Sequence, residues 1–178
     1  MTLVAKTDRL LLRHTTPLDA AFYSHLVNEP AWITNIGDRR VKSLGDAKQQ
    51  IESRLMASYA LHGYGLYVVS LVDSGQAVGI CGLVKRDSLQ HPDIGFAFLQ
   101  AHWGQGFALE AARAVLDHAF GELNLSRVLG ITKAVNLRSA SLLIKLGLQF
   151  QGQVHLDDEN RDVYQMDAKD MPASRQNV

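Results

Sequence analysis

Asp93-Ile94-Gly95-Phe96-Ala97-Phe98-Leu99-Gln100-Ala101-His102-Trp103-Gly104-Gln105-Gly106-Phe107-Ala108-Leu109-Glu110 decides how the chain is read. An apolar run from Ile94 to Leu99 stops at a short polar segment, which enters Gly104-Gln105-Gly106. Beyond it Phe107, Ala108, Ala111, Ala112, Val115, Leu116, Ala119 and Phe120 recur at helical spacing on one face. The order is strand, glycine turn, helix. Glycines at a helix start let backbone N–H groups approach an anion closely, and the helix dipole favours negative charge there by ~0.3–1 kcal/mol. The stretch therefore reads as a phosphate cradle at a strand's end. The competing reading is that the glycines only turn and cap.

Outward from this unit, composition bounds the rest. The 178 residues suit one domain, expected over 1–170 with a polar tail at 171–178. Lys plus Arg (18) equals Asp plus Glu (18), so no basic excess points to nucleic acid, and phosphates must be held locally. The single cysteine, Cys81, excludes an internal disulfide and Cys-based zinc spacing, and it sits in an apolar run. No metal is expected. There is no apolar signal region and no run long enough to span a membrane, so the expected location is the cytoplasm.

Taken in order, Arg9–His14 reads as a first strand, and Pro17 opens a helix running toward Pro30. Residues 31–43 show no clear period. Asp46 to about Leu61 reads as a second helix, closed by Gly63. Tyr64–Val72 and Ala77–Val84 are strands across the turn Asp73-Ser74-Gly75-Gln76. After the central unit come a strand at Arg127–Lys133, a helix at Asn136–Leu146 capped by Gly147, and strands at Leu148–Leu156 and Arg161–Ala168. The pattern β α α β β β α β α β β gives an α/β (α+β) fold. Antiparallel hairpins flank one parallel βαβ crossover, with a ligand expected beyond the carboxyl end of the central strand.

These residues resemble the GNAT superfamily of N-acetyltransferases, and within it the subfamily of ribosomal-protein N-terminal acetyltransferases and their small-amine relatives. Five pieces, spread over nearly the whole chain, carry the likeness. They are Thr7-Asp8-Arg9-Leu10-Leu11-Leu12-Arg13, Gly79-Ile80-Cys81-Gly82-Leu83, Ile94-Gly95-Phe96, Trp103 through Ala111, and Asn136-Leu137-Arg138-Ser139 closing at Lys145-Leu146-Gly147-Leu148. The resemblance implies a mixed, mostly antiparallel twisted sheet of about seven strands with about four helices and a splayed central strand pair. It implies acetyl-CoA as donor and an amine as acceptor, including a ribosomal or other protein N-terminus. It also implies direct attack in a ternary complex, with no nucleic acid or membrane partner, in a monomer or homodimer.

The same resemblance assigns the cofactor to Trp103, Gly104, Gln105, Gly106, Phe107 and Ala108 at the pyrophosphate, to Phe98 and Leu99 on the splayed strand, and to Asn136 at the pantetheine arm. Trp32, Asn35 and Tyr64 lie on segments that wall the acceptor site in the family. Two departures stand out. Trp103 occupies a place where the superfamily often has Arg or Gln, and Leu143 occupies the slot nearest a common tyrosine acid. A lysine-like amine (pKa ~10.4) needs a base, whereas a peptide α-amine (~7.7–8.0) needs little help. Asp93 is the first candidate base, and His155 and Asp157 near the last hairpin turn are alternatives. Ser139 is the candidate acid, since similar subfamily members use a serine at that point; helix capping is its structural alternative. Cys81 is too embedded to suggest a covalent intermediate. A non-catalytic acyl-CoA-binding module is the rival reading, whereas a P-loop is disfavoured because no Lys-Ser/Thr follows the glycines.

Overall fold

The apolar run at Ile94 becomes a strand buried in the middle of a sheet, and the rest of the fold follows from what covers its two faces. The computed structural model describes residues 2–156 and 158–171. Among the described residues there are eight strands: β1 (Leu3–Lys6), β2 (Leu10–His14), β3 (Leu66–Leu71), β4 (Ala77–Val84), β5 (Asp93–Phe98), β6 (Arg127–Lys133), β7 (Gln149–Leu156) and β8 (Glu159–Asp167). They form one sheet in the order β1-β2-β3-β4-β5-β6-β8-β7. Every neighbouring pair is antiparallel except β5 and β6.

The helices are α1 (Ala20–Val27), α2 (Pro30–Asn35), α3 (Leu44–Gln50), α4 (Ala57–His62), α5 (Phe107–Gly121) and α6 (Leu137–Leu146). A π-helical segment, Ile51–Met56, joins α3 to α4, so these form one rod and the helical bodies number five. That rod matches the expected second helix. Two elements exceed the expectation of seven strands and four helices. Strand β1 is only four residues long, too short for a period to show. Helix α2 sits in the stretch without a period, and Pro30 starts it at the first helical position instead of merely ending α1.

Both faces of the sheet centre are covered. Phe107, Ala111, Ala112, Val115, Leu116 and Ala119 of α5 are buried against Cys81, Leu83, Ile94 and Phe98 on one face. Ile80 and Leu99 join Tyr23, Leu26, Trp32, Ala47 and Ile51 from the α1–α3 side on the other. This explains why β4 is apolar throughout instead of alternating. Helix α6 docks through Leu143, whose methyls lie so close to Gly130 that a Cβ there would stand 2.5 Å away. Leu143 is 1% exposed, so the slot that often holds a tyrosine acid is a core position. The roof over the sheet is tied down by Arg13, which donates to both Asp19 oxygens at 2.8 and 2.6 Å. Burial alone would raise the Asp19 carboxyl, but Arg13 and the Thr16 N–H outweigh it and hold it below the usual range. Among the described residues no helix is long and apolar enough to cross a membrane. Asp157 and residues 172–178 of the expected tail lie outside the described residues.

Candidate active site

Strands β5 and β6 pair only at Asp93↔Leu129 and Ile94↔Gly130, although both run on. Beyond Ile94 they part, and the edge of β5 facing β6 is left without a ladder. The alternation of the β4–β5 ladder says which groups face the gap. Leu99 N–H donates to the Val78 carbonyl at 2.9 Å, so odd-numbered residues of β5 bond to β4. On the other edge, the Pro92 carbonyl accepts from Leu129 N–H at 2.9 Å, which puts even-numbered residues toward β6. The backbone groups of Phe96 and Phe98 therefore turn toward the opening. The Phe98 carbonyl is already used there, accepting from Trp103 Nε1 at 2.7 Å.

The gap leads to a cleft of about 810 Å³. The glycine turn forms one end. Gly104 (φ +76°) and Gly106 (φ +82°) are left-handed, which a Cβ would strain, and a Cβ on Gly104 would project into open space. Gly106 is the N-cap of α5 with no side-chain cap, and the first intrahelical bond runs from Glu110 N–H to the Gly106 carbonyl. The N–H groups of Phe107, Ala108 and Leu109 thus lie at a helix start without intrahelical partners, as an anion site requires.

Helix α6 supplies a second wall. Arg138, Ser141, Leu142 and Lys145 share the stripe that lines the cleft, together with Asn136 and Ser139 at the helix start. Asn136 Oδ1 accepts from Ser139 N–H at 3.2 Å, so Asn136 caps α6. The Arg138 guanidinium lies 4.9 Å over the Trp103 ring. The chain thus places a cation beside the turn even though Trp103 replaces the usual one. Arg138, Lys145 and His102 are cleft residues that sequence reasoning missed. The signal for the first two was the 138-141-142-145 spacing, which puts a polar stripe opposite Leu143 and Leu146. The third wall comes from α1 and α2, with Glu29, Trp32 and Asn35. Glu29 was also missed. Its carboxylate accepts from Gln100 N–H at 3.1 and 3.3 Å, which holds it at the open end of β5.

The cleft thus brings together Trp32, Asn35, Phe98, Trp103, Gly104, Gly106, Phe107, Ala108, Asn136 and Ser139 of the sequence candidates. Others stand apart. Leu99 packs in the second core, and Gln105 is an exposed turn residue whose carbonyl accepts from Arg9 Nη1 at 3.0 Å. Tyr64 is buried behind α4, stacked on His62. His155 is exposed on the edge strand β7, where Nδ1 lies 3.1 Å from Asn160 Oδ1. Asp93 lies at the paired end of β5, 2% exposed, and accepts from Arg86 Nε at 2.8 Å. Burial pushes its carboxyl up, and Arg86 offsets this only in part. Glu110, on the first turn of α5, accepts from Thr7 Oγ1 at 2.6 Å and Arg9 Nε at 2.8 Å, so it fastens the β1–β2 turn to α5. Cys81 is fully buried, and burial pushes its thiol far up, away from nucleophilic use. Among the described residues no group of side chains has the make-up to hold a metal ion.

The features fit acetyl-CoA. The uncapped helix start with its two left-handed glycines, with Arg138 beside it over Trp103, suits a pyrophosphate, and the unladdered β5 edge suits amide groups laid along it like an added strand.

The family model described as the acetyltransferase (GNAT) domain matches residues 9–149. An uncharacterised protein of Bacillus subtilis (strain 168), YkkB, is 29% identical over 164 residues, covering 89% of this chain and 92% of its own. An uncharacterised N-acetyltransferase of the same organism, YoaA, is 28% identical over 151 residues, 84% of each. The solved acetyltransferase from Agrobacterium tumefaciens C58 has a TM-score of 0.79 at 25% identity, over 93% of this chain and 94% of that one. With the family model matched over residues 9–149 and a split strand pair and glycine turn opening on one cleft, the chain belongs to the GNAT acetyltransferase family and is an acetyl-CoA-dependent acyltransferase.

Proposed function

We propose that the protein acetylates a primary amine by direct attack in a ternary complex, with cytoplasmic small amines or peptide α-amines as acceptors. One observation carries this reading: the cradle, the open β5 edge and a carboxylate, Glu29, line the same cleft. When bound, acetyl-CoA supplies an activated acetyl thioester. The N–H groups of Phe107, Ala108 and Leu109, with Arg138 and Lys145, would hold its phosphates. The Phe96 amide faces the gap, where an N–H can stabilise negative charge on a carbonyl oxygen. Asn136 keeps Ser139 at the cleft by capping α6.

The acceptor enters as an ammonium and gives up two protons. Glu29 passes the first to solvent, freeing the lone pair. The nitrogen then bonds to the acetyl carbon as the C–S bond breaks, and the second proton reaches the departing thiolate through Ser139, leaving an amide and a free thiol. Glu29 takes the base role expected of Asp93, His155 or Asp157: the first two do not line the cleft, and Asp157 lies outside the described residues. The likeness of Arg9–Arg13 and Asn136–Ser139 to the ribosomal-protein N-terminal acetyltransferases supports α-amines as acceptors.

The test is thiol release from acetyl-CoA against a panel of amines, alongside thermal melting. A ligand that binds only the native state at a hundredfold excess over Kd stabilises it by about 2.7 kcal/mol. Acetyl-CoA is expected to raise Tm and ATP to do much less. Equal shifts with both would remove the pantetheine edge from the reading.

A further inference from the structure

We propose that the acceptor is a monoamine on a flat apolar body that carries one hydrogen-bond acceptor near its amine, and that polyamines and aminoglycosides are excluded. This rests on the acyl-transfer reading and narrows it. Three observations carry it. The first is the charge of the walls: Glu29 is the only carboxylate among the described residues lining the cleft. One ammonium finds a partner in Glu29. A second or third would find no further carboxylate among the described lining residues and would lie against the apolar wall, where an unpaired charge is strongly disfavoured.

The second observation is the surface itself. Leu26, Ala31, Trp32, Ile36 and Phe96 give the cleft an apolar wall around Glu29. Such a wall rewards a ring or branched chain and gains nothing from a hydroxyl-rich sugar. The third is an orphaned donor. Trp32 is 6% exposed, and its buried Nε1 has no hydrogen-bond partner. A buried N–H left unpaired is costly, and a ligand carbonyl reaching it would relieve that cost. Asn35 has one half engaged, its Nδ2 donating to the Ala31 carbonyl at 2.8 Å, so its oxygen can accept from an amine or amide N–H.

The experiment compares phenylalaninamide, phenethylamine, spermidine and kanamycin in thiol-release assays, and measures their binding to the protein–CoA complex by calorimetry. Phenylalaninamide should exceed spermidine and kanamycin in kcat/KM, or in affinity if turnover is slow, by at least about a hundredfold. Trp32→Phe keeps the ring and deletes the N–H, so it should weaken phenylalaninamide about fivefold and leave phenethylamine, which has no carbonyl, unchanged. Glu29→Gln should raise KM for both aromatic amines while acetyl-CoA affinity holds. Spermidine or kanamycin equal to or better than the aromatic amines would overturn the proposal, as would absence of binding by either aromatic amine. Equal losses for both aromatic amines in Trp32→Phe would overturn the assigned hydrogen bond. If acetyl-CoA itself fails to bind, the acyl-transfer reading has failed, and that outcome is distinct from a wrong acceptor class.

Discussion

The two ends of β5 are five positions apart in sequence and have opposite fates. At Asp93 and Ile94 the strand has a ladder on both edges, and its one ionisable group is shut in with Arg86. From Phe96 to Phe98 the same strand keeps its β4 partner but loses β6, and its backbone lines a cleft. Residue type does not distinguish the two ends. What differs is whether the parallel neighbour stays. A carboxylate at the closed end becomes part of the structure, and one brought from elsewhere to the open end, Glu29, becomes available for chemistry.

The largest expected effect tests the closed end. Arg86→Ala leaves the Asp93 carboxylate buried without its partner, and should cost about 3 kcal/mol of folding stability. Acetyl-CoA affinity of the folded fraction should not change. Denaturant melts and calorimetry check both, and a loss of acetyl-CoA affinity without a loss of stability would break the contrast by placing Asp93 in the site after all.

Gly106→Val tests the open end's cradle. A β-branched residue at φ +82° is strained by about 2 kcal/mol, and if the turn relaxes to relieve it, the N–H groups of α5 lose their aim. Acetyl-CoA affinity should fall by about thirtyfold, with the far-ultraviolet circular dichroism preserved. Unchanged affinity would mean that phosphates bind elsewhere.

Trp103→Phe should have a smaller effect. It removes the donor to the Phe98 carbonyl and weakens the seat of Arg138, for about 1 kcal/mol in acetyl-CoA binding. Double-mutant comparison with Arg138→Ala sharpens the assignment: the two losses should be less than additive.

The smallest effect is in pH. Burial raises the Asp93 carboxyl in the folded chain, so the stability it contributes is complete below the ordinary carboxylate range. It is lost as pH rises through the raised value. The Tm difference between wild type and Asp93→Asn should therefore move against wild type as pH climbs from about 4. Asp19 runs the other way: its contribution is present above the ordinary range and is lost as pH falls through its lowered value. A flat difference for Asp93→Asn across that range would show that Arg86 fully offsets the burial.

Much of the fold was legible in the chain because its signals are local. Helix α5 follows from the spacing of Ala111, Ala112, Val115 and Leu116, and the cradle from two glycines that tolerate positive φ at a helix start. The rod from α3 to α4 was read as one helix, and Gly147 closes α6 in the left-handed conformation expected of it. Each depends on sterics within a few residues, so sequence by itself determined them. Asn136 and Ser139 entered as candidates through the family resemblance, and both line the cleft.

What the chain by itself could not give is which side chains meet. Asp93 and Glu29 are both carboxylates beside apolar runs. Only the departure of β6 beyond Ile94, and the fold of α2 over the end of β5, put one behind Arg86 and the other in the cleft. Arg138 reaches Trp103 from a helix 35 residues further along, and Trp32 loses its hydrogen-bond partner only when α2 is packed against the second core. Local periodicity determines an element and its buried face. Long-range packing decides where strands separate, and the separation of β5 from β6 beyond Ile94↔Gly130 is what turned a strand into a site.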